Sequence, residues 1–178
     1  MTNVEFYGKN VNLDKIGIVL VDMQYSYLKE YSLKYISFMR EAQKDILQIA
    51  VNKDYPLGVL EFLWDKRTDS ELRNLINNIP RKKYFKKEKM DGFSNEKFYP
   101  WLKKMDLETL CFMGIHTNQC VLETAKSAKN YGFNIMLAKQ LTKGIASSKN
   151  FFKSINWFRN NGVYPKNYKE IVELLNKK

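Results

Sequence analysis

The stretch TLCFMGIHTNQCVLETA, residues 109–125, contains a strand, a tight turn and the start of a helix in one short segment. An apolar run ends at Gly114, and Cys120 then falls in the first turn of a helix predicted over residues 118–131. Gly132 follows that helix, and glycine is typical of a helix C-terminus. A buried strand that leads through a turn into a helix is the repeating unit of α/β proteins.

Similar units recur along the chain. Short apolar runs predict strands, and apolar residues at helical spacing predict helices. The predicted strands cover residues 16–23, 57–62, 82–87, 109–115 and 133–138, and the predicted helices cover 32–51, 68–78, 95–105, 118–131 and 147–162, followed by a short strand at 163–165 and a closing helix over 167–178. Thr68 and Glu71 predict a capping box for the second helix.

The alternation of strand and helix predicts an α/β fold. We expect a single doubly wound parallel sheet of five to six strands with helices on both faces, in one domain spanning residues 1–178. In such sheets, ligands bind beyond the carboxyl ends of the strands, near the point where the strand order reverses. Functional residues are therefore expected at strand ends.

The chain is strongly basic, with a formal net charge of +11. Such a charge attracts acidic partners. The densest basic cluster, RKKYFKKEK at 81–89, lies between two other predicted elements, whereas nucleic-acid modules group basic residues with stacking aromatics on one face. We therefore expect a small-molecule substrate rather than nucleic acid as the partner.

Composition also indicates the compartment. Two cysteines cannot form a disulfide framework, and no spacing of histidine and cysteine resembles a zinc site. The N-terminus is polar and lacks the pattern of a signal peptide. No window approaches the roughly 18 apolar residues of a membrane span. The expected location is the cytoplasm, with no membrane partner.

Cys120 is the first candidate for chemistry. In a first helical turn, unpaired backbone N–H groups and the helix dipole favour a thiolate, which is the nucleophilic form. The same N–H groups can stabilise an oxyanion. The alternative is that the cysteine fills the core as a small apolar residue, which is our interpretation of Cys111 inside its strand.

Asp22 and Lys87 are the other candidates. Asp22 directly follows the apolar run IGIVLV, and a carboxylate at the edge of a buried strand loses solvation, so its pKa should rise toward the range useful for proton transfer. The alternative is a helix cap or an ion pair at a strand end. Spacing alone does not distinguish Lys87 from the other lysines of its basic run.

The three candidate residues lie in three segments: VDMQ at 21–24 with Tyr27 after it, KEKMDGF at 87–93, and GIHTNQCV at 114–121. In order and spacing they resemble the three signatures of the isochorismatase-like cysteine hydrolase family. The resemblance implies the isochorismatase-like fold, with Rossmann-type layering of sheet and helices.

The resemblance also implies a catalytic triad of Asp22, Lys87 and Cys120. By analogy, the cysteine attacks an amide carbonyl to give a thioester, the aspartate takes and returns the proton, and the lysine stabilises the thiolate and orients the carboxylate. The residues matched to the oxyanion hole and its turn are His116, Thr117 and Gln119. The family further implies a cis peptide bond between the histidine and the threonine.

No cofactor or metal is expected. Nicotinamidase-like relatives carry an Asp and His cluster after the second strand, but that region here reads EFLWDKRTD, and His116 is the only histidine of the chain. The family's usual Asp after the fifth strand is also replaced by Lys139 and Gln140. We expect this replacement to alter the substrate pocket and the subunit contacts rather than the triad.

Several residues beyond the motif-bearing strands are candidates for the pocket wall. Tyr27, Trp64 and Phe93 can shape an aromatic slot for a small planar amide, or can fill the core or a subunit interface instead. Gln24 is a further pocket candidate. Glu61 either lines the pocket beside the lysine or caps a neighbouring helix. The aromatic run FFKSINWF at residues 151–158 indicates a helix-packing surface and a homo-oligomer.

Three functions remain open from the sequence. The first is a metal-independent cysteine hydrolase of small amides. The second is an ether hydrolase of the isochorismatase kind, in which some relatives manage without the cysteine. The third is a catalytically silent α/β domain that binds a partner or nucleic acid through its basic surface.

Overall fold

The structure, a computed structural model, describes residues 2–145 and 150–178. Its strands are β1 Asn3–Phe6, β2 Lys9–Asn12, β3 Ile16–Val21, β4 Leu57–Phe62, β5 Lys82–Lys87, β6 Thr109–Ile115, β7 Asn134–Met136 and β8 Thr142–Lys143. Its α-helices are α1 Tyr25–Leu28, α2 Leu33–Lys53, α3 Ser70–Ile76, α4 Phe98–Lys104, α5 Leu122–Asn130, α6 Asn150–Asn161 and α7 Tyr168–Asn176. Short 3₁₀ turns cover Leu13–Lys15, Gly92–Ser94 and Lys139–Leu141, and a π-helical turn covers Thr117–Val121.

The main sheet has six strands in the order β5-β4-β3-β6-β7, with β8 also pairing with β6, and all its pairs are parallel. The predicted doubly wound parallel sheet is therefore confirmed. The strand order reverses at β3, because β4 and β5 lie on one side of it and β6 lies on the other. This arrangement opens a crevice at the carboxyl ends of β3 and β6.

Helices cover both faces of the sheet. One apolar cluster lies between the sheet and α2, α3 and α7, and a second lies between the sheet and α4, α5 and α6. Every residue of β3 and β6 is buried, as expected for central strands of a parallel sheet. Among the described residues, no helix combines the length and apolar composition needed to cross a membrane.

An antiparallel hairpin of β1 and β2 precedes the main sheet and adds to the predicted elements. Tyr7 and Gly8 form its turn with positive φ angles of 54° and 70°. Each strand has four residues, with partly exposed positions throughout β1. Such short, half-exposed strands have no apolar run from which to predict them.

The start of α3 differs from the prediction. The helix predicted over 68–78 has Asp69 as its N-cap rather than Thr68. The predicted capping box between Thr68 and Glu71 is wrong, because the threonine N–H and hydroxyl both donate to Glu61 instead. The carboxylate of Glu61 comes from β4, and a contact between elements distant in sequence leaves no local signal.

Two further helices are shorter than predicted. The helix predicted over 95–105 is α4, and it is preceded by a 3₁₀ turn whose N-cap is Asp91. The helix predicted over 118–131 is α5, and the π-helical turn takes up its first predicted residues. The strand predicted over 133–138 is β7, which is limited to residues 134–136.

The C-terminal elements follow the predicted order. α6 forms most of the helix predicted over 147–162, whose beginning lies outside the described residues. In place of the strand predicted at 163–165, Val163 makes a single parallel bridge to Met136. The predicted closing helix over 167–178 is α7.

Gly114 allows β3 and β6 to approach closely at the edge where the candidate residues lie. Its φ is +130°, which L side chains rarely adopt, and a Cβ placed there would lie 2.0 Å from the carbonyl oxygen of Val21. The apolar run in the opening stretch must therefore end in glycine. The residue after Val21 is Asp22, so this close approach also fixes the start of the site.

We expect Gly114→Ala to lower the free energy of unfolding by about 3 kcal/mol or more, because the new methyl group overlaps buried backbone that cannot move aside. Urea denaturation measures this loss. Gly132→Ala is the matched control: its φ is also positive, at +88°, but nothing lies within 4 Å of the added carbon. Its expected cost is about 1 kcal/mol. An equal loss in the free energy of unfolding of the two variants would show that the overlap with Val21 is not the cause.

Candidate active site

The structure brings Asp22, Lys87 and Cys120 together at the carboxyl edge of the sheet. Asp22 directly follows β3, Lys87 is the last residue of β5, and Cys120 lies in the π-helical turn after β6. All three are buried. The aspartate and the cysteine thus flank the point where the strand order reverses, which is where a doubly wound sheet is expected to bind its ligand.

A buried ion pair joins Lys87 to Asp22. Lys87 Nζ lies 2.8 Å from Asp22 Oδ2, and the two side chains are 0% and 2% exposed. Between β5 and β3 lies β4, so the lysine reaches across that strand, with its Nζ 3.5 Å from the ring centroid of Phe62. Lys87 also donates a hydrogen bond of 3.1 Å to the carbonyl oxygen of Lys89. The ammonium is therefore held by a carboxylate, a carbonyl and an aromatic face.

The backbone of Asp22 is left-handed, with φ at 50°. This conformation costs roughly 1–2 kcal/mol in a residue that has a Cβ, although aspartate tolerates it better than most. Asp22 N–H donates to the carbonyl oxygen of Leu60 at 3.0 Å, which anchors the residue to β4. A strained residue held in this way at a strand end is typical of a functional site.

Burial raises the pKa of Asp22 to about 6, although the Lys87 ammonium opposes this shift. Among the described residues, none donates a hydrogen bond to its Oδ1. At neutral pH the group is therefore ionised, but it accepts a proton more readily than an ordinary aspartate. A carboxylate with these properties is suited to act as a general base near pH 7.

The electrostatics of Cys120 differ from the prediction. Burial raises the pKa of the thiol to about 12, the charge of Asp22 raises it further, and Lys87 lowers it. The expectation of a depressed pKa is contradicted, because the thiol is buried and Cys120 precedes α5 instead of lying in its first turn. The resting residue is a thiol in contact with a carboxylate and an ammonium, so its reaction requires a base.

The turn before Cys120 is formed by His116 and the residues after it. The Gln119 backbone is kinked, with φ −134° and ψ −105°, and its N–H donates to the carbonyl oxygen of His116 at 3.0 Å. Thr117 is buried and its hydroxyl donates to that of Thr142 at 3.0 Å. These contacts hold the turn against β8.

The cis peptide bond in this turn joins Ile115 to His116. It was predicted between His116 and Thr117, so the prediction is wrong by one residue. Thr117 begins the π-helical turn. His116, the residue before it, has extended backbone with φ −92° and ψ 137°.

His116 lies against two tyrosine rings. Its centroid is 5.8 Å from that of Tyr27 and 5.8 Å from that of Tyr31. Burial lowers the pKa of the imidazole, and the Glu30 carboxylate, 3.5 Å from its Nε2, only partly opposes this. The ring is therefore neutral at pH 7. It forms part of the aromatic wall of the site.

A cavity of about 210 Å³ opens onto the cysteine. Its lining consists of Asp22, Tyr27, Phe62, Met90, His116, Gln119 and Cys120. Phe62 and Met90 were not among the predicted pocket residues. Both had a signal in the sequence, since Phe62 ends a predicted strand and Met90 lies within the segment KEKMDGF.

The structure places four other candidates away from this cavity. Gln24 is buried and binds the segment after β4, accepting from Phe62 N–H at 2.8 Å and donating to Lys66 O at 2.6 Å. Trp64 is 82% exposed. The Phe93 ring packs in the core against Phe98 and stacks on Tyr131.

Glu61 is the fourth, and it lies next to Lys86 rather than Lys87. Its carboxylate forms an ion pair of 2.8 Å with Lys86 and accepts two hydrogen bonds from Thr68, at 2.6 and 2.7 Å. Side chains alternate across a strand, so Lys86 and Lys87 face opposite sides of the sheet. Glu61 therefore fixes the segment just before α3 instead of lining the pocket.

The residues near the site do not fit the metal cluster of nicotinamidase-like relatives. Asp65 is the acid available after β4, and its carboxylate accepts hydrogen bonds from the Ser26 hydroxyl and from Lys66 N–H. The segment contains no histidine. Within residues 2–145 and 150–178, no group of three or more His, Cys, Asp or Glu side chains is arranged to hold a metal ion.

The match to a known family covers most of the chain. The family model of the isochorismatase domain matches residues 17–164, a span that includes Asp22, Lys87 and Cys120. The protein therefore belongs to the isochorismatase-like cysteine hydrolases, whose members are hydrolytic enzymes. Among curated proteins, no sequence matches that of this chain.

Solved structures share the fold at low sequence identity. The YcaC gene product of Escherichia coli, described as an octameric hydrolase of unknown specificity, matches with a TM-score of 0.81 and 15% identity over 98% of this chain and 85% of its own. The nicotinamidase SaPncA of Staphylococcus aureus matches with a TM-score of 0.77 and 18% identity over 86% of this chain and 99% of its own. A cysteine hydrolase from Pseudomonas syringae pv. phaseolicola has a TM-score of 0.76 and 14% identity, covering 99% of this chain and 98% of its own.

We expect Lys87→Met to destabilise the protein by about 3–5 kcal/mol at pH 8, because it leaves the Asp22 carboxylate buried without a cation. The pKa of Asp22 then rises above its value of about 6, further from the unfolded value. An aspartate with a raised pKa in the folded state destabilises the protein increasingly as the pH rises through that window. The loss should therefore be smaller at pH 5.

Urea denaturation at pH 5 and pH 8 measures both values. Lys83→Met is the matched control, since Lys83 lies on the same strand but is exposed, and its expected effect is within about 0.5 kcal/mol at either pH. A loss in Lys87→Met that does not change with pH would contradict the role of the ion pair.

Proposed function

We propose that this protein is a metal-independent cysteine hydrolase of a small amide, with Cys120 as nucleophile, Asp22 as general base and acid, and Lys87 as the cation that holds the carboxylate. The observation that carries the proposal is the fully buried ion pair in contact with the thiol. A charged pair is costly to bury, and buried ionisable groups with shifted pKa values are frequent at functional sites.

The first half of the reaction forms a thioester. Asp22 takes the proton from Cys120 as the sulfur attacks the carbonyl carbon of the amide, which gives a tetrahedral oxyanion. The oxyanion then collapses, the C–N bond breaks, and the protonated Asp22 gives its proton to the leaving nitrogen. A carboxylate with a pKa of about 6 is suited to both transfers. The Lys87 ammonium stabilises the negative charge that moves between sulfur and carboxylate.

The second half releases the acid. Asp22 takes a proton from a water molecule as the water oxygen attacks the thioester carbon, and the C–S bond breaks. The sulfur recovers its proton from Asp22, so the enzyme returns to its starting state. Water and amide are converted to carboxylic acid and amine, and the protein undergoes no net change.

The oxyanion needs hydrogen-bond donors beside the cysteine. The predicted donors belong to the turn of His116, Thr117 and Gln119. The Gln119 N–H already donates to His116 O at 3.0 Å, so we assign the oxyanion to the backbone N–H of Cys120 itself. The donor then follows the kink at Gln119, and its position depends on the turn rather than on a regular helix.

The size and lining of the cavity support a small planar substrate. Its volume of about 210 Å³ is smaller than the roughly 300 Å³ and above that is usual for drug-sized ligands. Aromatic rings of Tyr27, Phe62 and His116 form its walls. The name of the Staphylococcus aureus relative, a nicotinamidase, also favours an aromatic amide. An ether substrate is the alternative within the family.

We also propose that the protein forms a homo-oligomer. Phe38 on α2 and Phe152 on α6 are 61% and 72% exposed, and Leu33 at the start of α2 is 87% exposed. Burying such side chains between copies removes apolar surface from water. The relative YcaC is described as an octamer, which supports this proposal.

Alkylation of Cys120 tests the acid–base pair without knowledge of the substrate. We expect the rate with iodoacetamide to rise through an apparent pKa of about 6, because only ionised Asp22 can accept the thiol proton. In Asp22→Asn, the alkylation rate of Cys120 should no longer rise with pH near 6. Mass spectrometry measures each cysteine separately, and Cys111 is an internal control, since it is fully buried and its pKa is raised to about 12. A titration near 8.5, the value of an ordinary thiol, would contradict the proposal.

Amide hydrolysis tests the reaction itself. We expect ammonia release from at least one member of a panel of small primary amides that includes nicotinamide, and a decrease of at least about a thousandfold in Cys120→Ser. Cys111→Ala is the matched control and should retain activity. Turnover of a vinyl ether without any amide turnover would favour the ether hydrolase. Cys120→Ser with full amidase activity would exclude the nucleophile assignment.

A further inference from the structure

A second polar cavity, of about 500 Å³, lies at the edge of the sheet between α3 and β5. Residues of β5 at alternate positions, Tyr84 and Lys86, line it, whereas Lys87 belongs to the other side of the strand. The cavity is therefore separate from the one at Cys120. None of its residues takes part in the proposed reaction.

Three cations line this cavity: Arg67, Arg73 and Lys86. One acid, Glu61, lies among them. Its carboxylate is paired with Lys86 at 2.8 Å, and burial, which would raise its pKa, is outweighed by that lysine and by hydrogen bonds from Thr68. The acid and one lysine thus neutralise each other. Both guanidinium groups remain, and the lining has a net positive charge.

The guanidinium of Arg73 has no partner in the described part of the chain. Its Nε is buried and makes no hydrogen bond. Asp69, the N-cap of α3 four residues earlier, would be its natural partner, but that carboxylate pairs with Arg40 at 3.1 Å. A buried donor without an acceptor is costly, and such groups often mark the place of a ligand or ion.

The rest of the lining adds neutral hydrogen-bonding groups. Asn74 of α3 and its C-cap Asn77 face the cavity, and Tyr84 lies opposite them with 38% of its surface exposed. Burial raises the pKa of the Tyr84 phenol, and the charges of Arg73 and Arg67 oppose this shift. Amide and phenol groups can donate to oxygen atoms that the arginines do not reach.

We propose that this cavity binds the phosphoryl group of a small phosphorylated molecule, held by Arg67 and Arg73. The planar guanidinium fork matches the oxygen atoms of a phosphoryl group, and two such forks bind it more tightly than scattered lysines do. The site is a concave cavity rather than an extended basic stripe, which favours a small molecule over a nucleic-acid backbone. The proposal does not depend on the amidase assignment.

Titration calorimetry with inorganic phosphate and pyrophosphate tests the site on the full chain. We expect one pyrophosphate to bind per chain, and Arg73→Met to weaken that binding by roughly tenfold or more. Arg67→Met should weaken it similarly, and because Arg67 is exposed, this variant keeps the test valid if Arg73→Met is poorly folded. Lys83→Met is the matched control, since it removes the same charge from an exposed position of β5 outside this cavity.

Two results would overturn the proposal. One is the absence of pyrophosphate binding to the unaltered protein. The other is an equal, small weakening in all three variants, which would indicate attraction by the overall charge of +11 rather than a site. A competition experiment between pyrophosphate and a single-stranded oligonucleotide distinguishes a small phosphorylated ligand from a nucleic acid. Displacement of pyrophosphate by the oligonucleotide, with steep salt dependence, would assign the cavity to nucleic acid and exclude the small molecule.

Discussion

The buried ion pair between Lys87 and Asp22 is the interaction on which the site depends. It joins β5 to β3 across the ring of Phe62 on β4, so three neighbouring strands must end in register for it to form. Neither charge can leave without stranding the other in a dry interior. The close approach at Gly114 adds the fourth strand, β6, and aligns the cysteine turn with the aspartate. The geometry of the site is thus a property of the whole sheet.

Burial also gives Asp22 and Cys120 different protonation states. Burial raises the pKa of Cys120 to about 12 and that of Asp22 to about 6. The thiol therefore keeps its proton at rest, and the carboxylate is ionised but ready to accept one. A lysine that lowered only the thiol pKa would give a permanently reactive thiolate, which is open to oxidation. In the proposed mechanism the nucleophile forms as the proton moves to Asp22, so reactivity is limited to the moment of attack.

Adjacent lysines of the edge strand serve two different sites. Lys87 points to the side of the cavity at Cys120, and Lys86 points to the side of α3, where it neutralises Glu61. The alternation of side chains along a strand separates them, although they are neighbours in sequence. A basic run that resembles a single charged patch in the sequence is therefore divided by the sheet. Lys87 holds the carboxylate of Asp22, which we propose as the general base. Lys86 pairs with Glu61, which leaves Arg67 and Arg73 free for the anion proposed above.

The sequence by itself determined the alternation of strands and helices, and its motifs singled out Asp22, Lys87 and Cys120, because apolar periodicity and motif spacing are local properties of a chain. Only the tertiary structure decided which lysine meets Glu61, that Phe62 and Met90 line the cavity, and that the thiol is protonated at rest. Burial and pairing between strands distant in sequence set these properties. The raised thiol pKa shows the reason most clearly, since a helix start favours a thiolate locally and the desolvation that opposes it exists only in the folded core.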